Sequence, residues 1–166
     1  MKDAERSAHH RLIKEEHLEK TEPMRSNRNG GKDGELRVLV VEDDFTSRML
    51  LQTLLLKFGT VHIAVDGMEA IKAFCAARQS GQAYDLICMD VRMPEMNGMD
   101  ALERIRMIEK QASVEPSAAV KIFMTTAVRD LKTVSGSFRA LCDAYLAKPL
   151  DSAKLISEMR QHGLVE

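Results

Sequence analysis

The sequence predicts an α/β fold: an open, five-stranded parallel sheet with helices on both faces. Three observations lead there. Short apolar runs rich in β-branched residues alternate with stretches whose apolar residues recur at helical spacing. The runs are continuous rather than alternating, as expected of strands buried on both faces. Charged and polar residues gather where the runs end, not inside them.

The first strand is Leu36-Arg37-Val38-Leu39-Val40-Val41. A helix over Phe45 to Phe58 follows, with Leu50, Leu51, Leu54, Leu55 and Phe58 on one side and Gly59 as its C-terminal cap. Val61 to Val65 is the second strand, and Asp66 caps a helix carrying Ala70, Ile71, Phe74 and Cys75. Tyr84 to Met89 is the third strand. A loop leads from it to Gly98 and a helix with Leu102 and Ile105 facing inward. Glu115-Pro116 marks a surface loop before the fourth strand, Val120 to Thr125. A helix over roughly 129–141 comes next, although Gly136 inside it costs about 1 kcal/mol of helix propensity. The last strand is Ala144 to Ala147, and Asp151 opens a final helix with Leu155 and Met159 inward.

Five strands alternating with five helices, joined by right-handed crossovers, give a flavodoxin-like doubly wound sheet of order 2-1-3-4-5. This domain spans residues 35–166. Residues 1–34 mix Lys, Arg, Glu and His and end in a Ser/Asn/Gly-rich stretch unable to bury apolar surface, which predicts a flexible tail. Leu12, Ile13 and Leu18 leave a short docking helix as the alternative.

Composition narrows function. A formal net charge of −1 and an aromatic content of 4% supply neither the basic face nor the stacking platform of a nucleic-acid binder. No apolar run approaches the roughly 18–20 residues that span a bilayer, and the N-terminus has no signal-peptide core, so a cytoplasmic location is expected. Cys75, Cys88 and Cys142 have no close pairing and read as reduced core thiols.

In such sheets the functional crevice lies beyond the carboxyl ends of the strands, where strand order reverses. Glu42-Asp43-Asp44 end the first strand there, Asp90 the third, Thr125-Thr126 the fourth, and Lys148-Pro149 follow the fifth. Neighbouring strands lie about 4.8 Å apart. Two carboxylates about 5 Å apart repel by roughly 3 kcal/mol at an effective dielectric of 20, so the cluster calls for a cation. An octahedral Mg²⁺ keeping several waters suits it; softer metals do not, because no His or Cys converges. Asp44 alone reads as the cap of the following helix. A metal-bound carboxylate, a hydroxyl and an ammonium around one cavity compose a phosphoryl-transfer site, with Asp90 as nucleophile. No Gly-rich phosphate loop follows the first strand, which disfavours nucleotide binding. The aspartate-nucleophile phosphatases need a second Asp two residues on, where Arg92 stands.

These pieces resemble the receiver domain of bacterial response regulators: Val38 to Asp44 with Arg48, Asp66-Gly67-Met68-Glu69-Ala70, Asp90 to Gly98 (DVRMPEMNG), Met124 to Ala127, and Tyr145 to Pro149, in family order over about residues 36–163. The resemblance implies that Asp90 is phosphorylated by a histidine kinase or a histidine phosphotransferase. It implies Mg²⁺ held by Asp43, Asp90 and the Arg92 carbonyl, with Glu42 acting through water. Thr126 would be the switch hydroxyl, Tyr145 the aromatic that follows it, and Lys148 the partner of the phosphoryl group, with a cis Lys148–Pro149 bond. The chain would then be a signalling module, not a turnover enzyme. Arg92 and Val128, two residues beyond Asp90 and Thr126, would slow loss of the phosphoryl group. The alternative is a receiver-like scaffold that binds partners without phosphorylation. Tyr145 also reads as a core aromatic with its hydroxyl at the surface. Thr125 reads as strand packing, and Met93 and Met96 as loop packing.

Overall fold

A computed structural model describes residues 35–127 and 139–166. The strands are β1 (Leu36–Val41), β2 (Gly59–Ala64), β3 (Leu86–Asp90), β4 (Lys121–Ala127) and β5 (Ala144–Lys148). The helices among the described residues are α1 (Phe45–Leu55), α2 (Gly67–Gln79), α3 (Gly98–Gln111) and α4 (Ser152–Gln161). The strands form one parallel sheet of order β2-β1-β3-β4-β5, the flavodoxin-like order predicted from the sequence. Most of the helix predicted over 129–141 lies outside the described residues, as do the predicted N-terminal tail and Val128.

Period-two alternation sorts the buried strands into two layers. Val38, Val40, Leu86, Cys88, Phe123 and Leu146 pack against Leu51 and Leu55 of α1 and Leu155 and Met159 of α4. Leu39, Val41, Ile87, Met89, Ile122 and Met124 pack against Phe74 of α2 and Leu102 and Ile105 of α3. Continuous apolar runs therefore mean what the sequence implied: both faces are covered.

Helix starts are set by side-chain caps. Asp44, Asp66 and Asp151 accept from the backbone N–H groups of Ser47, Glu69 and Ala153 at 2.7, 2.8 and 2.8 Å, as predicted. Asn97 caps α3 in the same way, accepting from Asp100 N at 2.9 Å. Gly59 has a different role from the one predicted. The helix ends at Leu55 with Leu56 as its cap. Gly59 instead opens β2 so close to β1 that a Cβ there would lie 2.0 Å from the Leu36 carbonyl oxygen.

At the opposite end of the sheet from the acidic cluster lies a polar clasp. Glu109, buried on α3, accepts from Val120 N at 2.8 Å and pairs with Arg106 at 2.7 Å. The same guanidinium donates to the carbonyls of Leu141 and Val120 at 2.8 and 2.9 Å, and to Asp143 at 2.9 Å. Asp143 also accepts from Ile122 N at 2.9 Å and pairs with Lys121 at 3.1 Å. One arginine thus joins α3 to the starts of β4 and β5.

The three cysteines are free. Burial pushes the Cys88 thiol up to about 12. Alkylation of the folded protein near pH 8 followed by mass spectrometry should leave Cys88 unmodified, while half-buried Cys75 reacts and Cys142, whose thiol burial also pushes up, reacts more slowly. Labelling of Cys88 without denaturant would contradict this packing.

Candidate functional site

The strand order places the carboxyl ends of β1, β3, β4 and β5 side by side, and each delivers a functional group there. Continuing the register beyond Val41↔Met89 sets Glu42 level with Asp90, which pairs with Thr125. Thr126 pairs with Ala147, next to Lys148.

Asp90 is 6% exposed and Glu42 is fully buried. Both lie against one ammonium: Lys148 Nζ donates to Asp90 Oδ2 at 2.8 Å and stands 2.7 Å from Glu42 Oε2. Burial works against that ammonium, but its bonds to Asp90 and Glu42 outweigh the penalty and hold its pKa above the ordinary lysine value. Burial raises the Glu42 pKa, the Lys148 hydrogen bond opposes the rise, and the Asp90 charge adds to it. Glu42 Oε1 accepts from Asp44 N at 3.2 Å, and Asp90 Oδ1 from Arg92 N at 3.4 Å.

Glu42, Asp43 and Asp90 each present a carboxylate oxygen within 4.8 Å of the other two. Asp43 is exposed, so the cluster opens to solvent on its side. Three carboxylates against one ammonium leave two negative charges uncompensated when all are ionised. An all-oxygen donor set with that excess fits a hard divalent cation, as the sequence implied.

Thr126 is buried, and among the described residues its hydroxyl makes only a long contact to the Ala127 carbonyl, at 3.5 Å. Tyr145 lies one strand over and packs with Met124 in the layer shared with α2 and α3. Its hydroxyl is buried and without a hydrogen-bond partner among the described residues. Burial, reinforced by the neighbouring Cys142, pushes the phenol pKa up. A tyrosine with its hydroxyl at the surface is not what the structure contains. Thr125 is buried beside Leu146, in keeping with strand packing, but its hydroxyl also lacks a partner among the described residues. Met93 is buried in the loop after β3, Met96 is half-buried there, and both pack against the core. The Arg92 side chain is exposed. The Lys148–Pro149 bond is cis.

Sequence reasoning assigned no role to three features of the site. One is the Glu42–Lys148 ion pair; its only signal is that glutamate is a methylene longer than the aspartate common at this position. Another is Arg48, whose Nη1 donates to the backbone carbonyls of Glu42 and Asp43 at 2.9 and 3.0 Å. The third is Gly98, where a Cβ would lie 2.0 Å from the Asp90 carbonyl oxygen.

A 2-1-3-4-5 parallel sheet with an acidic cluster and a lysine at its switch point is the receiver fold. Residues 38–160 match the response regulator receiver domain, and the chain belongs to that family. It is 33% identical over 132 residues to hybrid signal transduction histidine kinase G of Dictyostelium discoideum, covering 78% of this chain but 4% of that protein. It is 28% identical over 127 residues to the chemotaxis protein CheY of Bacillus subtilis, covering 75% of this chain and 95% of that one. Among solved structures, it resembles the co-crystal of the Saccharomyces cerevisiae histidine phosphotransfer signaling protein Ypd1 with the receiver domain of its downstream response regulator Ssk1. That match has a TM-score of 0.64 at 28% identity and covers 78% of this chain and 89% of that one. A putative response regulator from Chloroflexus aurantiacus gives a TM-score of 0.61 at 25% identity, covering 77% and 97%. Thus the chain spans a small part of the hybrid kinase and nearly all of CheY. No described helix is long and apolar enough to cross a membrane.

Proposed function

We infer that the chain is a phospho-accepting module that takes a phosphoryl group from a phosphohistidine onto Asp90. The observation that carries this reading is the pairing of Lys148 with Asp90 and Glu42, beside the cluster they form with Asp43. A carboxylate oxygen of Asp90 would attack phosphorus, the donor's N–P bond would break as the O–P bond forms, and the imidazole would leave. Asp43, Asp90 and the Arg92 carbonyl would hold Mg²⁺, with Glu42 acting through water, and the ion when bound offsets charge on the oxygens of the moving group. Lys148 would carry the same task from the β5 side, and the Thr126 hydroxyl would donate to one of those oxygens. Asp90 is then consumed as a substrate, and the chain is not a turnover enzyme.

The readout would be packing. Phosphorylation adds about −1.5 to −2 charges. Thr126 and Tyr145 share a face on neighbouring strands, so a shift of the Thr126 hydroxyl toward the new oxygens alters the space the tyrosine ring fills. This would bias an existing equilibrium of the surface around β5 and α4. A histidine kinase or histidine phosphotransferase is the donor class, in line with the Ypd1 complex of the Ssk1 receiver. Phe45, Val65 and Met68 are exposed at the acidic end of the sheet and offer such a donor an apolar rim. A protein partner downstream, or onward transfer of the phosphoryl group, completes the reading, and the cytoplasm is where such donors act.

Incubation with acetyl phosphate and Mg²⁺ tests it. Intact-mass spectrometry should show one added phosphoryl group on the wild type and none on Asp90→Asn. Chelating the metal should abolish the addition. A wild type that stays unmodified, or modification equal in both proteins, would favour the constitutive scaffold.

A further inference from the structure

Two of the three clustered carboxylates sit on consecutive residues, Glu42 and Asp43, immediately beyond the end of β1. Their directions therefore depend on how the backbone leaves the sheet. Glu42 N still donates to Ala64 O at 3.1 Å, in the manner of a strand. The carbonyls of both residues are taken by a single nitrogen, Nη1 of Arg48, one turn into α1. The guanidinium is backed by the Phe45 ring, with Cζ 5.6 Å from its centroid. Asp44 fixes the other side of the turn by capping Ser47. The backbone between strand and helix is thus clamped by a planar donor on a rigid element, while the Asp43 carboxylate it orients stands in solvent.

We propose that Arg48 is a positioning residue for the acidic loop: by bonding both carbonyls it aims the Glu42 and Asp43 carboxylates and so sets the Mg²⁺ affinity of the site. This rests on the reading of that cluster as a Mg²⁺ site. Two physical effects of Arg48 oppose each other, which makes the sign informative. Its positive charge alone repels a cation, so removing it would tighten Mg²⁺ binding. Its grip on the ligand-bearing backbone acts the other way, and groups that hold metal ligands from behind commonly carry 10- to 100-fold in affinity.

Calorimetric titration of Mg²⁺ alone into wild type, Arg48→Met and Arg48→Lys decides between them, with thermal melts as a check on folding. Arg48→Met is expected to bind about tenfold more weakly or worse, and Arg48→Lys, which keeps the charge but ends one bond short of the Nη1 position that meets both carbonyls, about threefold more weakly. In acetyl phosphate assays the Mg²⁺ concentration for half-maximal rate should rise in parallel. The rate at saturating Mg²⁺ should return to within about twofold of wild type. Unchanged or tighter binding by Arg48→Met overturns the proposal, as does an unchanged half-saturation with a lowered maximal rate. Should Arg48→Met fail to fold, the lysine variant decides, and binding equal to wild type overturns the proposal. If wild type itself binds no Mg²⁺, the reading of the cluster fails and this inference fails with it. If wild type binds and the variants match it, only the inference fails.

Discussion

Replacing Arg106 with leucine is expected to destabilise the domain by roughly 3–5 kcal/mol, the cost of stranding a buried carboxylate. Glu109 is 4% exposed and would lose its only countercharge among the described residues. The Val120 and Leu141 carbonyls would lose a charged donor as well. Two strand starts and one helix depend on the same guanidinium, so the penalty should not be absorbed by a local shift. Urea denaturation measures it. Because Arg106 keeps Glu109 as a countercharge and Lys121 is partly exposed to water, the companion change Asp143→Asn should cost less. A loss below about 1 kcal/mol for Arg106→Leu would mean that water replaces the clasp at little expense.

Gly98→Ala is expected to impair both stability and phosphorylation. An added methyl would meet the Asp90 carbonyl oxygen at 2.0 Å and its carbon at 2.9 Å, with Met124 Cε at 3.1 Å behind. Backbone cannot rotate aside as a flexible side chain does, so either α3 retreats from the sheet or Asp90 turns. Overpacking of this kind commonly costs about 1–3 kcal/mol. A turned Asp90 would also leave the reach of Lys148, so the rate of modification by acetyl phosphate should fall about tenfold or more even where the variant is fully folded. A folded Gly98→Ala protein modified at the wild-type rate would show that α3, not Asp90, had moved.

Much of this was legible in the sequence for physical reasons. Val38 to Val41 are apolar on both faces because both are covered, and a carboxylate at the end of such a run has little reason to be there unless it does something. Caps were legible where Asp precedes a helical pattern, as at Asp44, Asp66 and Asp151. What stayed hidden depends on contacts distant in sequence. Arg106 reaches Asp143 across 37 positions, and nothing in its neighbourhood distinguishes it from Arg104. Gly59 looked like a helix cap because glycine commonly ends helices, whereas the pressure on it comes from Leu36 across the sheet. Lys148 follows the fifth strand at the end where the carboxylates gather, but its reach to Glu42 depends on side-chain length.

That reach has a mechanical side. β4 lies between β5 and β3, so Lys148 passes an entire strand to hold Asp90, and two to hold Glu42. It works as a guy rope anchored at the root of α4, which begins at Ser152, only four residues along. Were Asp90 to take the proposed phosphoryl group, the added charge would act through this ion pair on the edge strand β5 and the start of α4.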